Sequence, residues 1–587
     1  MATLDLATFL SWFEVRGGVL DGSAVGFRDD SSLQRSVYAL RDIPQGHTLF
    51  KIPRDLLLST RTSGLRKEIG EITWSKLGSG WASLILCMMW EESKGSQGKW
   101  NEYFQILPNT FSTPMFWGEE DLKELEGTSM FGKCWKSGDD NVNLPLADKI
   151  GKEEAEAEYH SRIVPVLESR KDLFSLPLKA AFFTLENFHR LGSSILSRSF
   201  HVEEWSGQDK DPSDNDELHK GHALPDDQSG SSKTNEAEDT AMEVDDPPSS
   251  LCPPEETEQG TDALEAEDSD SDDEGEDTAD ISMVPMADML NARYGCDNAR
   301  LFYEPTFVAM ITTKQISAGE EIWNTYGDPP NSDLLRRYGH VDVVPIPTST
   351  NSQQYHEARP PWSLITKGNP ADIMEIKANI AVNAFLELID GKVKPKVDES
   401  VKERIDWWLE SGNDDVFILE SSPDEPHIIL PEGLISIVRL LLLTDAEWTK
   451  LLEKSKPPKP KIESVEVAKL IVRVLQLRLS EYATSLEYDL SLLPPSLLTD
   501  SAFSIPTSPG PALSLNNTNA IIIRIGEKRL LHAALAHTQE RLIELESECS
   551  RSLNRQDRDS NRGNRKRKGW KCEDDKMDTP GRKKAKR

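Results

Sequence analysis

The pattern of apolar and polar positions divides the chain into a β-rich beginning, a helical middle, a second β-rich segment and a helical end. Short β-rich runs broken by Pro and Gly predict strands and turns in residues 1–60. From about 72 to 200, apolar residues recur at helical spacing, most clearly in 176–202. Short strands return after 281, and residues 301–327 predict a strand on each side of a turn at Gly319.

The region from about 370 to 550 has the periodicity of amphipathic helices throughout. The clearest helical segments are 371–389, 433–454, 464–483 and 528–551. Within the second of these, Thr444 and Glu447 have the spacing of a capping box, which predicts that a helix restarts at Asp445. The pattern therefore predicts an all-α second domain.

Acidic residues are concentrated in one segment between these regions. Residues 203–280 contain 29 of the 100 acidic residues and three of the 67 Lys and Arg residues, so they account for most of the net charge of −33. Because this segment has few large apolar residues, it cannot bury enough surface to fold alone. We predict a disordered acidic insertion.

Cysteine usage and hydropathy limit the classes of protein that fit. The six cysteines are scattered without a CxxC pair, so the chain predicts neither a disulfide framework nor a zinc site, and an intracellular location is favoured. The N-terminal stretch is acidic where a signal peptide needs basic residues. The longest apolar runs are too short to span a bilayer, so we expect no membrane association.

Two short segments carry candidate chemistry. In Ser282–Gly295, SMVPMADMLNARYG, Asp288 and Asn291 interrupt an apolar run, and a buried carboxylate or amide is costly unless something binds it. Some thirty residues later, Tyr326 follows a predicted strand and precedes Gly327. Phosphate-binding GxxxxGK[ST] and metalloprotease HExxH patterns are absent from the sequence.

Three segments of the chain, two of which contain these residues, resemble the C-terminal signatures of SET-domain protein lysine methyltransferases. They are VPMADMLNA at 284–292, GEEIWNTYG at 319–327 and NSDLLRRYGHV at 331–341. The likeness is closest to the subfamily with a split SET domain and a helical substrate-binding domain of the Rubisco-methyltransferase type. Within this subfamily, the amino-acid sequence is most similar to the fungal ribosomal lysine methyltransferases.

The resemblance implies an α+β fold, in which a SET β-fold of small sheets with a knot-like C-terminal segment and a helical insertion precedes an all-α domain. The implied parts are the first half of the SET domain (1–202), the acidic insertion (203–280), the second half (281–345), the substrate-binding domain (355–550) and a disordered basic tail (551–587). Residues 130–149 interrupt a link that is short in relatives, and either a flexible loop or a retained intron explains them.

The resemblance also implies a methyl transfer from S-adenosylmethionine to a lysine that enters through a narrow channel. Tyr326 would orient the amine and the methyl group at the channel end, and Tyr338 would line the channel. The residues implied in cofactor binding are Arg35, Val37, Arg198, Phe200, Asp288, Asn291 and Tyr326. No metal is implied.

This sequence departs from the family pattern at two places near the implied cofactor. Gln34 and Ser36 stand where the family usually has a Gly-x-Gly turn, so Arg35 and Val37 are assigned on a weaker match. Ala292 stands where most SET enzymes have His after the Asn. Because relatives use mainly the backbone of that residue, binding is still expected.

Other functions compete with the enzyme hypothesis. The SET fold could serve a catalytically silent nuclear adaptor, or the acidic insertion could act as a chaperone for basic proteins. On the enzyme hypothesis, we expect a monomer whose partner is a basic protein substrate, such as a large-subunit ribosomal protein, without a requirement for nucleic acid. The basic clusters at 564–568 and 581–587 predict a nuclear location, with the cytoplasm as a second compartment.

Overall fold

The computed structural model describes residues 2–29, 35–78, 81–130, 152–202, 281–346, 360–389, 395–421, 428–499 and 513–569. The acidic insertion predicted at 203–280 lies outside these residues, as do Gln34 and almost all of the segment 130–149. Among the described residues, no helix is both long and apolar enough to cross a bilayer.

The first half of the fold is built on small antiparallel sheets. Its strands are β1 (Val19–Leu20), β2 (Val25–Asp29), β3 (Arg35–Ala39), β4 (Thr48–Pro53), β5 (Ser199–His201), β6 (Ile281–Met283), β7 (Ala299–Tyr303), β8 (Phe307–Thr312) and β9 (Val344–Pro345). One sheet has the order β1-β4-β8-β7, and β2 pairs with β3 and β5 with β6. Strand β4 precedes the acidic segment in the sequence and β8 follows it. The parts of the chain before and after that segment therefore share one sheet.

Helices cover these sheets. They are α1 (Ala2–Val15), α2 (Leu65–Ile69), α3 (Glu71–Trp74), α4 (Ala82–Ser93), α5 (Asn101–Ile106), α6 (Glu119–Lys123), α7 (Lys152–Glu158), α8 (Val164–Ser169), α9 (Leu176–Phe182), α10 (Leu185–Arg198) and α11 (Asn331–Asp333). Helix α4 buries almost every side chain, as its uniformly apolar sequence predicts.

Two local predictions in this half were wrong. Residues 2–15 were predicted as strands and turns, but they form α1, which buries Phe9 and Phe13 on one face at helical spacing. The predicted turn at Gly319 is present, but residues 320–327 form only isolated bridges and not the predicted strand. The two strands β7 and β8 both precede Gly319 and meet at an earlier turn, where the Glu304 amide donates to the Phe307 carbonyl. Gly319 itself, with φ of 86°, turns the chain after β8.

The second half is predominantly helical, as predicted. Its elements are β10 (Lys367–Gly368), β11 (Ile373–Lys377), α12 (Ala378–Ile389), α13 (Pro395–Glu410), β12 (Val416–Glu420), α14 (Glu432–Leu441), α15 (Asp445–Lys454), α16 (Val465–Ser480), α17 (Leu486–Leu492), α18 (Pro495–Leu498) and α19 (Leu515–Gly569). The predicted capping box is confirmed, because the Thr444 amide donates to the Glu447 carboxylate over 2.9 Å.

The structure corrects the all-α prediction for this half in two details. The segment predicted as one helix at 371–389 begins with strand β11, in which Met374 and Ile376 alternate with more exposed residues and which pairs with β12. The last helix, α19, extends to Gly569, whereas an unstructured tail was predicted from 551.

Helix α19 joins the two halves. A hydrophobic cluster combines Trp117 and Leu125, from the segment around α6, with Ala520 and Ile523 of α19. Polar contacts accompany it: the Ser129 amide donates to the buried Glu527 carboxylate over 2.9 Å. This packing fixes the position of the helical domain relative to the sheets.

Candidate functional site

A tight turn after β6 positions the polar residues of the segment Ser282–Gly295. Met286, which is fully buried, has φ of 83° and ψ of −47°, a conformation that non-glycine residues rarely adopt. It leads into a single 3-10 turn, Ala287–Met289. The turn leaves Asp288 buried but brings Asn291 to partial exposure, so the expectation of a buried amide was wrong for Asn291.

Asp288 is held between two other elements. The Tyr103 hydroxyl of α5 donates to Asp288 Oδ2 over 2.8 Å, and Arg198 Nη1 donates to the Asp288 carbonyl over 2.5 Å. Burial raises the pKa of the Asp288 carboxyl, and the charge of Arg198 and the Tyr103 hydrogen bond oppose this shift. Its second oxygen, Oδ1, is buried and has no hydrogen-bond partner among the described residues. This acceptor can therefore take a donor from a ligand or a water.

Asn291 links the turn to the N-terminal half. Its side-chain Nδ2 donates to the Arg35 carbonyl over 3.0 Å and to Glu321 Oε1 over 2.9 Å. The backbone carbonyl of Asn291 accepts from the Asn324 amide. Because both side-chain donors are used, Asn291 can offer a ligand only its acceptor oxygen, Oδ1.

The two residues predicted from the weaker match behave differently. Arg35 reaches the site through its backbone carbonyl, and the charge of its side chain also opposes the rise in the pKa of Asp288. Val37 has 1% exposure, and its side chain lies in the hydrophobic core. A cofactor contact by Val37 would therefore use its backbone.

Arg198 and Phe200 lie where α10 passes into β5. Arg198 is the last residue of the helix, with its side chain about one third exposed and Nη1 3.9 Å from Asp288 Oδ2. Phe200 is partly buried against the core and pairs with Ser282 across the β5–β6 ladder. This ladder places both residues beside the strand that leads into the Asp288 turn.

Tyr326 and Tyr338 form a parallel aromatic pair. Their ring centroids are 4.1 Å apart with an interplanar angle of 4°, and Tyr338 ends a π-helical turn over Leu334–Tyr338. The Tyr326 hydroxyl donates to the Leu290 carbonyl over 3.4 Å. Burial raises the pKa of Tyr326, against the charge of Arg198, and burial also raises the pKa of Tyr338. Both phenols therefore stay protonated at neutral pH.

A small cleft opens beside this pair, with a volume of about 10 Å³. Its lining residues are Ala292, Arg293, Tyr294, Tyr326, Asp328, Pro329, Leu334 and Asp342. Tyr326 and Ala292 both line it, so the cleft connects the aromatic pair with the residue after Asn291.

The structure thus brings together Arg35, Arg198, Asp288, Asn291, Tyr326 and Tyr338 through direct contacts or shared neighbours. Two supporting residues, Tyr103 and Glu321, were not predicted from the sequence. Glu321 belongs to the GEEIWNTYG signature, and its place there is the one feature of the sequence that pointed to a role at the site. Nothing in the local sequence of α5 distinguishes Tyr103 from an ordinary core tyrosine.

Tyr103→Phe should destabilise the protein because it removes the only side-chain hydrogen bond to the buried Asp288 carboxylate among the described residues. We expect the free energy of unfolding, measured by urea titration, to fall by about 1–3 kcal/mol. Tyr488→Phe is the control, since that tyrosine is exposed on α17. Equal stabilities of the two variants would show that the Tyr103 hydroxyl does not support Asp288.

Comparisons with known proteins agree with this architecture. Residues 395–531 match the family model described as Rubisco LSMT substrate-binding. Ribosomal lysine N-methyltransferase 4 of Saccharomyces cerevisiae is 28% identical over 345 residues, which cover 58% of this chain and 56% of that protein. N-lysine methyltransferase setd6 of Xenopus laevis is 26% identical over 349 residues, covering 58% of each. These matches therefore span little more than half of the relatives' length.

A solved structure shares the fold over nearly the whole chain. The SET domain of LSMT bound to lysine and AdoHcy superposes with a TM-score of 0.54 at 17% identity, covering 93% of both chains. The shared fold therefore extends over both the sheet-containing part and the helical part of this chain.

Proposed function

We propose that this chain, which has the SET fold and a Rubisco LSMT substrate-binding domain, is an S-adenosylmethionine-dependent protein lysine N-methyltransferase. The observation that carries the proposal is the Tyr326 hydroxyl, directed at the Leu290 carbonyl at the edge of a narrow cleft. The names of the two relatives and the ligands of the LSMT structure support the same reaction. AdoHcy is what remains of S-adenosylmethionine after its methyl group is transferred.

The residues around Asp288 fit the amino-acid end of S-adenosylmethionine, which carries an ammonium and a carboxylate. Asp288 Oδ1 is a buried acceptor without a partner among the described residues, and Asn291 presents an acceptor oxygen. Both suit the ammonium. Arg198 uses only Nη1 in its hydrogen bond to Asp288, so its other N–H groups can meet the carboxylate.

When bound, S-adenosylmethionine supplies an electrophilic methyl group on a sulfonium. The chain's own contribution is to position the lysine amine and keep it uncharged. Burial raises the pKa of Tyr326 because it disfavours the charged phenolate. The same burial disfavours the charged, protonated form of a lysine amine that lies beside it. The Leu290 carbonyl and the Tyr326 oxygen can accept from the amine or contact a polarised methyl group. Fixing the two reactants in line then lowers the barrier.

Arg198→Ala should weaken cofactor binding by about 10- to 100-fold, the cost of losing a hydrogen bond to a charged group. Isothermal titration calorimetry with S-adenosylmethionine and S-adenosylhomocysteine measures it. We expect equal losses for both, because the two molecules share the carboxylate. Arg300→Ala, at an exposed ion pair, is the control. A loss confined to S-adenosylmethionine would place Arg198 near the sulfonium instead.

For the substrate, we propose a basic protein of the large ribosomal subunit and a nuclear location. The name of the yeast relative and the basic clusters at 564–568 and 581–587 support this. The test is to incubate the purified protein with methyl-labelled S-adenosylmethionine and separated ribosomal proteins. Label in a large-subunit protein supports the assignment, whereas label only in other proteins contradicts it. No label in any protein favours the catalytically silent adaptor.

A further inference from the structure

A second cleft lies in the helical domain, between α13 and α15, and the function proposed above does not use it. Its volume is about 410 Å³, more than that of the cleft beside Tyr326. Trp407 and Trp448 line it and pack edge to face, with ring centroids 5.7 Å apart and an interplanar angle of 88°. Leu452, which is 40% exposed, adds a further apolar side chain. We call it the α13–α15 groove.

One rim of the groove is a row of carboxylates. Glu399, Glu403, Asp406 and Glu410 are spaced by four, three and four residues, so they lie along one face of α13. All four are exposed, and none forms an ion pair with another described residue. Among the residues that line the groove, Lys402 is the one cation. The groove therefore has a strong excess of negative charge.

This row has an energetic cost. Like charges at helical spacings of three and four residues destabilise a helix by about 0.2–0.5 kcal/mol for each pair. Lys402, three residues after Glu399 and four before Asp406, offsets part of this repulsion. The rest of the repulsion along α13 lies beside the half-buried ring of Trp407. A cationic partner would remove it.

We propose that the α13–α15 groove binds a lysine- and arginine-rich segment of the protein substrate. The carboxylates pair with the cationic heads, while Trp407 and Leu452 pack against the aliphatic stems. Phosphate-bearing partners, such as nucleic acids and anionic membranes, are repelled by the same charge. The groove lies within residues 395–531, the part that matches the Rubisco LSMT substrate-binding model.

The inference rests on the proposed function, since it assigns the groove to that enzyme's substrate. It specifies what that function leaves open: a positively charged segment, bound at residues distinct from those around Tyr326. Because binding here needs no S-adenosylmethionine, the groove can be tested apart from catalysis.

The experiment uses the full chain and a fluorescein-labelled oligolysine peptide followed by fluorescence anisotropy. Glu403→Lys/Glu410→Lys should weaken binding at least about tenfold, and higher salt should weaken binding to the unmodified chain. The control is Glu14→Lys/Glu548→Lys, which makes the same change in net charge at exposed positions outside the groove. Equal affinities of the two double variants, or no binding by the unmodified chain, would overturn the proposal.

Two further readouts separate the alternatives. With a methylated substrate in hand, Glu403→Lys/Glu410→Lys should raise KM and leave kcat and cofactor affinity unchanged. An unchanged KM would also overturn the proposal, whereas a failure of both variants and the unmodified chain to methylate would count against the enzyme and not the groove.

If removal of residues 570–587 raises peptide affinity severalfold only when the carboxylates are intact, the occupant is the chain's own basic tail, and a substrate segment is excluded.

Discussion

Tyr326→Phe should lower kcat for methyl transfer by about 100-fold or more while cofactor affinity stays unchanged. The replacement keeps the ring that stacks at 4.1 Å on Tyr338, so the aromatic pair and the fold are retained. It removes the hydroxyl that lies 3.4 Å from the Leu290 carbonyl and, on our proposal, orients the amine and the methyl group. Losing the alignment of reacting groups costs about two orders of magnitude.

Tyr338→Phe is the matched control for this prediction. Tyr338 is assigned to the channel through its ring, so loss of its hydroxyl should reduce kcat much less. Single-turnover rates and calorimetric cofactor affinities, measured for both variants, separate positioning from binding. If the two variants have equal rates, Tyr326 has no special role in transfer.

Asp489→Ala should be the most destabilising of these changes, lowering the free energy of unfolding by about 3–5 kcal/mol. Asp489 is fully buried and accepts from Lys528 Nζ at 2.6 Å, Arg524 Nη2 at 2.9 Å and Thr484 Oγ1 at 2.9 Å. Its removal leaves two buried cations without this counterion. Arg524 also donates to Glu124 of the SET half, so the same change should loosen the contact between the halves.

Urea titration followed by far-ultraviolet circular dichroism measures this effect. Glu387→Ala removes an acid from the exposed pair with Arg473 and should leave stability essentially unchanged. If Asp489→Ala unfolds at the same urea concentration as Glu387→Ala, the buried network does not stabilise the protein. A second transition in Asp489→Ala alone would show that the halves have become uncoupled.

The fold and the site differ in how far the sequence predicts them. The capping box at Thr444 was confirmed because both its residues lie within one helical turn. Helix α1 was missed because it was read together with residues 16–60, whose Gly and Pro breaks favour strands and turns. Strand β11 was absorbed into the helix that follows it without a break, since apolar alternation over five residues also fits part of a helical pattern.

At the site, Tyr326, Asn291 and Asp288 could be predicted through the signatures that contain them. Their partners could not, because they are distant in the sequence. Tyr103 is 185 residues from Asp288, and the Arg35 carbonyl is 256 residues from Asn291. Such contacts depend on how the parts of the SET fold before and after residues 203–280 in the sequence pack against each other, which no local pattern encodes.

The central claim is that this chain transfers a methyl group to lysine. The most direct measurement is to incubate the protein with methyl-labelled S-adenosylmethionine and a basic protein substrate, hydrolyse the labelled product, and identify the amino acid that carries the label. We predict N-methylated lysine, at a level that falls by about 100-fold with Tyr326→Phe. Label on another amino acid, or none from a chain that binds the cofactor, would contradict it.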